Sequence, residues 1–349
     1  METSLSLYDF ALPPERIAQY PSQRGRSRLF VIQRDGSFLH GSFSDIPDYF
    51  EPGDVLIVND TRVLRARLLG KTPSGGRVEI LFTKANEAKR FRAIVRPGKR
   101  FKPGTRIAVE DEVLVVLSRD GRLAELEIES GNDVIMLLEK HGRVPLPPYI
   151  KRPPEPDDEK RYQTVFAREP GSVAAPTAGL HFTEEILEGI RAKGTKIANI
   201  TLHVGPGTFN PIEALDLKEH NMEAEYYTIP KETAEAIREA KSKGRRVFVC
   251  GTSSARATET WAMGRGPLAG WTDLFIYPGH EFSVPSALIT NLHLPKSTPL
   301  ALVAAFCGRE LILEAYKEAL KMGYMFGSYG DAMLVLYRVA PGENRLLEF

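Results

Sequence analysis

The stretch RVEILFTKANEAKRFRAIVRPGKRFKPGTRIAVEDEVLVVLSRDGRLAELEI, residues 77–128, decides the fold. Short runs rich in β-formers occupy it at 77–82, 91–95, 105–109, 113–117 and 123–128, and no helical period intervenes. Turn signals bound them: Gly75-Gly76 before the first run, then Pro97-Gly98, Pro103-Gly104 and Asp120-Gly121. Short strands at this spacing predict a small β-barrel.

Outward from this stretch the grammar changes. On the N-terminal side, 28–32 (RLFVI) and 54–58 (DVLIV) read as strands, and the second ends in Asn59-Asp60-Thr61-Arg62, whose side chains favour a turn. On the C-terminal side a helical period covers 134–140, and 143–160 carries six prolines in 18 residues, the signature of an extended connector. Helix and strand then alternate. A helix at 183–193 has Thr183 at its N-cap and Glu184 and Glu185 in its first turn, and a strand follows at 196–202. A second helix, 231–243, lies between Pro230 and Gly244, with a strand after it at 246–250. That alternation predicts a layered α/β domain. Residues 1–66 fit neither barrel nor connector. The expected organisation is therefore a discontinuous α/β domain, 1–66 with 155–349, carrying an inserted small antiparallel β-barrel domain, 67–150.

The chain has 349 residues, 42% hydrophobic and 26% charged, a composition that excludes disorder as its main state. Lys and Arg number 46 against 45 for Asp and Glu, so any surface for nucleic acid must be local. Cys250 and Cys307 are far apart in apolar runs, which excludes a disulfide scaffold or a thiolate zinc site. The first ten residues lack a basic and an apolar region, and no run reaches the roughly 18 apolar residues of a membrane span, so a cytoplasmic location without membrane contact is expected.

Four constellations fall where strands hand over to loops, the places where open α/β sheets bind ligands. The first joins Arg161 and Gln163 to the small-residue loop 171–182, with Thr177, Gly179 and His181, where a backbone can approach a ligand closely. In the second, 202–209, His203 offers a base near neutrality beside Gly205, Gly207 and Thr208. The third pairs Glu223 with Glu225, which share a face in an extended segment and can raise one another's proton affinity. The fourth combines Gly251, Thr252 and Arg256 with Asp273 and with Asn291, His293, Lys296 and Ser297. Neither a G-x-G-x-x-G fingerprint, a G-x-x-x-x-G-K-[ST] loop nor a G-x-S-x-G elbow occurs, and no His or Cys spacing fits a metal, so no metal is expected.

Residues 89–106 hold eight basic residues and no acidic one. Lys89, Arg90, Arg92, Arg96, Lys99, Arg100 and Lys102 could meet RNA phosphates, with Phe91 and Phe101 available to stack on unpaired bases. Eight acidic residues in 110–133 offset the stripe, so the barrel as a whole carries little net charge.

Together these segments resemble the S-adenosylmethionine:tRNA ribosyltransferase-isomerase family of queuosine biosynthesis. The resemblance rests on YDFALP at 8–13, RSRL at 26–29, VNDTRV at 58–63, RYQT at 161–164, APTAGLHFT at 175–183, HVGPGTF at 203–209, GWTD at 270–273, ITNLHLPKS at 289–297 and GDAM at 330–333. Two positions depart from the family pattern: Glu223 stands where a second His is common, and Met325 where Arg is usual.

What the resemblance implies is transfer of the ribosyl part of S-adenosylmethionine, as co-substrate and with no resident cofactor, to the aminomethyl arm of 7-aminomethyl-7-deazaguanine at the tRNA wobble position. Adenine and methionine leave, and epoxyqueuosine is formed by an enzyme expected to be a monomer. Motif membership and side-chain chemistry then make His203, Glu225 or Asp60 the candidate base, and Arg256, Lys296 and the amides of Gly179 and Gly251 candidate anion holders. Arg62 joins the remaining loop residues above as a substrate-binding candidate. Two other classes compete: an RNA-binding adaptor, which would not need so many polar loop residues, and a methyltransferase, which would need a glycine-rich first βα turn.

Overall fold

A computed structural model describes residues 3–97, 101–209, 211–264 and 268–336. Lys99, Arg100 and the segment 337–349 lie outside the described residues. The chain opens with β1 (Arg28–Ile32), β2 (Phe38–Ser42), β3 (Val55–Asn59) and the short β4 (Thr61–Val63). Six consecutive strands follow: β5 (Arg67–Lys71), β6 (Arg77–Ala85), β7 (Arg90–Arg96), β8 (Arg106–Val109), β9 (Glu112–Asp120) and β10 (Leu123–Ile128). They close into an antiparallel barrel in the order β10-β7-β6-β5-β8-β9.

After the barrel come α1 (Val134–His141), α2 (Asp158–Arg161), β11 (Glu169–Ser172), α3 (Glu184–Ala192), β12 (Lys196–Leu202), β13 (Glu225–Thr228) and α4 (Lys231–Ser242). The last described elements are β14 (Val247–Cys250), α5 (Thr252–Ala262), β15 (Ala269–Thr272), β16 (Ala287–Asn291), α6 (Thr298–Cys307), α7 (Arg309–Lys321) and β17 (Ala332–Val335). Nine of these strands form one mixed sheet, β15-β13-β12-β3-β14-β16-β17-β1-β2, to which segments before and after the barrel both contribute.

The sheet is covered on both faces, which is why its middle strands are apolar throughout rather than alternating. Val55, Ile57, Val247 and Val249 pack on one face with α4, α5, α6 and α7. Leu56, Val58, Phe248 and Cys250 pack on the other with α3. The capping expected of α3 is present: Thr183 Oγ1 accepts the Ile186 N–H at 3.2 Å.

The barrel has its own core, and the strict in-out alternation of β6 and β7 fills it. Phe91 and Phe101 are part of that core, 0% and 3% exposed, so they cannot stack on bases; alternation turns Phe91 inward between the outward Arg90 and Arg92. β5 was not evident as a strand because Gly70 interrupts its β-formers. A Cβ at Gly70 would sit 2.7 Å from Ile107 and 2.8 Å from the Ala108 carbonyl, so this glycine lets β5 and β8 close the barrel. The barrel's entry and exit lie together: Arg67 bridges to Arg143, and β4, just ahead of the barrel, pairs in parallel with β11, which follows the connector. Among the described residues no helix is long and apolar enough to cross a membrane.

Candidate active site

β12, β3, β14 and β16 run parallel, so all four end on one side of the sheet. A cavity of about 390 Å³ lies at those ends, a volume suited to a small molecule. Its wall includes the small-residue loop Ala174, Ala175, Pro176, Thr177 and Ala178, then Gly251, Thr252, Asn291, His293 and Ser297. Two helices start there. Gly251 precedes α5 with φ +87°, a conformation that L side chains resist, and Ser297 caps α6. The start of α5 has no side-chain cap, so its free N–H groups make this part of the cavity favourable for an anionic group, whereas at α6 Ser297 Oγ already takes the Leu300 N–H and Pro299 offers none.

Buried polar groups fix the cavity wall. Asn291 accepts from Thr177 Oγ1 at 2.9 Å and donates to His181 Nε2 at 3.0 Å, while His181 Nδ1 meets Ser27 Oγ at 2.7 Å. Burial, helped by Arg24 and Arg161, pushes His181 down to about 3, so the ring is neutral and donates from Nδ1 to Ser27. His293, bonded to Thr290 Oγ1 at 2.7 Å, is likewise lowered to about 3 by burial.

A second cavity of about 1490 Å³ separates the sheet from the barrel. His203, Gly205, Glu223, Tyr226 and Trp271 line it from the sheet, and Lys84, Arg92, Arg96 and Arg122 from the barrel, with Arg62 at the junction. Val204 and Glu225 line both cavities. Glu225 is 5% exposed and fully committed: Oε1 accepts the Gly205 N–H at 2.7 Å and Oε2 pairs with Arg256. The Arg256 guanidinium also donates to the carbonyls of Leu274, at 2.8 Å, and Thr272, at 3.4 Å. This pair holds the partition between the cavities: its strongest contacts are internal, and both members still line the smaller cavity.

Among the three candidate bases, His203 has the most open chemistry. Its Nδ1 lies 2.8 Å from Thr61 Oγ1, which itself donates to the Glu169 carbonyl at 3.5 Å. In the tautomer that donates from Nδ1 to Thr61, Nε2 keeps a free lone pair. Burial lowers the His203 pKa, and Glu169 opposes the shift. Asp60 lines neither cavity; burial raises its pKa against a 2.7 Å hydrogen bond from Thr201. Glu223, read from sequence only as Glu225's partner, stands above the ordinary carboxylate range because burial and the nearby Glu225 disfavour its charge.

The other expected residues divide. Thr208 lines the smaller cavity and donates to the Gly205 carbonyl at 3.1 Å, and Gly207 lies against the Glu223 carboxylate. Gln163 lines the cleft but clamps both backbone groups of Val63, at 3.0 and 2.8 Å. Arg161 donates to the Ser22 carbonyl beside His181, in a separate small recess. Gly179, Asp273 and Lys296 reach neither cavity: Gly179 is packed against Thr164 and Phe166, Asp273 is exposed, and Lys296 pairs with Asp9 at 2.5 Å.

On the barrel, Lys89 donates to the Ser130 carbonyl at 2.8 Å and Arg90 pairs with Glu127 at 2.8 Å, while Lys102 is exposed at a turn. Asp111, Glu112 and His141 bring ligand-type atoms within 4.8 Å of one another there, outside both cavities. Lys140 at 2.5 Å from Asp111 and the Asn132 amide on Glu112 already occupy carboxylate oxygens in that group. The connector conceals a contribution that its proline content does not reveal: Pro148, Tyr149 and Lys151 wall the smaller cavity, and Tyr149 meets Ser328 Oγ at 2.7 Å.

A small-molecule cavity at parallel strand ends, partitioned by an ion pair from a larger cleft under a barrel, defines an α/β protein with two ligand-sized compartments. The sequence model of the queuosine biosynthesis protein family matches residues 5–335, and the chain belongs to that family. An S-adenosylmethionine:tRNA ribosyltransferase-isomerase of Azoarcus sp. is 49% identical over 341 residues, covering 96% of this chain and 98% of the relative. The enzyme of the same name from Citrifermentans bemidjiense is 50% identical over 338 residues, covering 95% and 99%. The crystal structure of S-adenosylmethionine tRNA ribosyltransferase from Thermotoga maritima superposes with a TM-score of 0.55 at 37% identity, covering 95% of this chain and all of that one.

Proposed function

We propose that this enzyme transfers and isomerises the ribosyl part of S-adenosylmethionine onto 7-aminomethyl-7-deazaguanine at the tRNA wobble position, giving epoxyqueuosine, adenine and methionine. The observation that carries this reading is the shared wall: Val204 and Glu225 bound both the 390 Å³ cavity and the 1490 Å³ cleft. A small donor in one compartment and a polymeric acceptor in the other would meet there. The uncapped start of α5 at Gly251 suits the donor's carboxylate.

The sulfonium acidifies the protons on the adjacent 5′ carbon of the donor. His203 Nε2 removes one, and the ribose opens as adenine departs. Ring opening leaves a vinyl sulfonium and a C1′ aldehyde. The acceptor's amine adds to C4′ and gives up a proton that neutralises the departed adenine. The C5′ carbanion so formed bonds to C1′, and the resulting oxyanion displaces methionine from C5′ to close the epoxide. Glu225 and Arg256 keep the partition in register, and the buried neutral His181 holds Asn291 and Thr177 on the donor side. This chemistry uses S-adenosylmethionine as co-substrate and needs no resident cofactor; we read the enzyme as a cytoplasmic monomer.

The test is an incubation with S-adenosylmethionine labelled separately in ribose and methyl, plus tRNA carrying the aminomethyl-deazaguanine. Ribose label entering tRNA with free adenine is expected. Methyl label entering instead would make the chain a methyltransferase, and binding without transfer would make it an RNA adaptor.

A further inference from the structure

His203, Tyr226 and Trp271 stand in one row across three antiparallel strands. His203 follows β12 and its N–H donates to the Tyr226 carbonyl on β13 at 3.0 Å, while Tyr226 lies opposite Trp271 on β15. Opposed residues of antiparallel strands project from the same face, and all three side chains line the large cleft. The His203 and Tyr226 rings are nearly parallel, 19° apart in plane and 6.5 Å between centroids. Tyr226 and Trp271 meet edge to face at 5.5 Å. Trp271 is 57% exposed and Tyr226 38%, an unusual cost in apolar surface for two large rings side by side. Across the cleft, Lys84 of the barrel reaches over the indole, with Nζ 4.9 Å from its centroid.

The charge of the cleft shows why such a row matters for an RNA substrate. Arg65, Asp158, Glu159 and Glu225 are held in ion pairs. Of the remaining lining groups, Arg62, Lys84, Arg92, Arg96 and Arg122 face Asp120, Glu139, Glu213 and Glu223, a near balance. The cationic excess is therefore small, and ring faces add affinity for unpaired nucleotides.

Resting on the ribosyl-transfer reading above, we propose that Tyr226 and Trp271 form a ledge on which two consecutive unpaired nucleotides of the RNA substrate stack. The row ends at His203, so a strand laid along it delivers its next base to the imidazole that the reaction uses. Lys84, which lies over the indole in the free enzyme, swings off that ring as a base stacks there and meets the phosphate of the same nucleotide. The ledge takes over the role that sequence alone gave to Phe91 and Phe101.

The chain has two tryptophans, Trp261 and Trp271, so the variant Trp261→Phe carries a single indole reporter on the ledge. Adding an anticodon stem-loop RNA should quench its fluorescence, and a blunt duplex of the same stem should not. Trp271→Ala should weaken stem-loop binding roughly 5- to 100-fold and Tyr226→Ala less, with Trp271→Phe restoring most of it and S-adenosylmethionine binding unchanged. Equal quenching by stem-loop and duplex, no quenching, or unaltered stem-loop affinity in Trp271→Ala would overturn the ledge. Ribose transfer by the wild-type enzyme is scored separately. Its absence would remove the functional reading while quenching still decides the ledge.

Discussion

Along the barrel strand β6 buried and partly exposed positions alternate, whereas β3, β14 and β16 of the sheet are buried at every position. The barrel can therefore keep its polar groups outside, in contacts such as Arg106–Glu129, where both side chains are well exposed. The sheet cannot, and its polar groups gather at strand ends as buried partners: Asn291 with His181, Glu225 with Arg256, and Asp54 with Arg246 at the opposite ends. A buried polar group is costly unless paired, so each of these is poised for a large effect when its partner is removed. The same distinction separates chemistry from capture. On the proposed reading, reactive groups belong to buried strand ends, and RNA contacts to exposed side chains on both walls of the cleft, Tyr226 and Trp271 on the sheet and Arg92 and Arg96 on the barrel.

The sharpest break of this comparison is His203→Ala. Loss of a general base should lower turnover about 10²- to 10⁴-fold with tRNA binding intact, read in single-turnover adenine release. Because burial lowers the His203 pKa, the acid limb of the wild-type rate should lie below the ordinary imidazole value near 6.5. Turnover near wild type in the alanine variant would move the base elsewhere, with Glu223 next in line since its raised proton affinity also faces the cleft.

Ion pairs on the two sides should differ nearly as much. Glu225→Ala strands the buried Arg256 guanidinium, and denaturant unfolding should show a loss of about 3–5 kcal/mol. Glu129→Ala in the barrel removes only an exposed pair, about 0.2–1 kcal/mol. Similar losses at the two sites would erase the contrast.

Acid should find the sheet first. His181 and His293 titrate near 6.5 unfolded but at about 3 folded, so the unfolded chain binds more protons between those values. Stability is complete above pH 6.5 and falls as pH drops, by about 1.4 kcal/mol per unit for each ring, or about 4 kcal/mol for both at pH 5. In the barrel, hydrogen bonds from Lys140 to Asp111 and from Ser130 and Asn132 to Glu112 keep both carboxyls below their usual range. Asp111 and Glu112 therefore stay charged at pH 5. Thermal melts at pH 7.5 and 5.0 that coincide would mean the two histidines are not held neutral.

How far the sequence could be read follows the same division. β1 and β10 were legible to the residue and α3 to within one at either end, because period and capping are local properties. The gathering of Thr177, Gly251, Asn291 and Ser297 around one cavity was legible as loops at strand ends. Burial and pairing were not. Nothing local says that Arg256 faces Glu225 rather than a ligand, that Lys296 turns to Asp9, or that Phe91 points into the barrel. The ledge was hidden for a related reason. Tyr226 and Trp271 are 45 positions apart, and only the pairing of β13 with β15 makes them neighbours.

The smallest effect tests the exposed side of the comparison. Arg92 and Arg96 line the cleft from β7 without an ion pair among the described residues, unlike Arg90 on the same strand. If they touch phosphate, Arg92→Ala and Arg96→Ala should each weaken tRNA binding evenly across sequences and flatten the dependence of log Kd on log salt by about 1. Arg90→Ala should leave that slope unchanged. Because Asp120, Glu139, Glu213 and Glu223 nearly balance the cleft, the wild-type slope itself should be shallow for an RNA-binding enzyme. A steep slope that survives loss of both arginines would place the phosphate contacts outside the cleft. The barrel would then act only as the wall that holds unpaired nucleotides against the sheet.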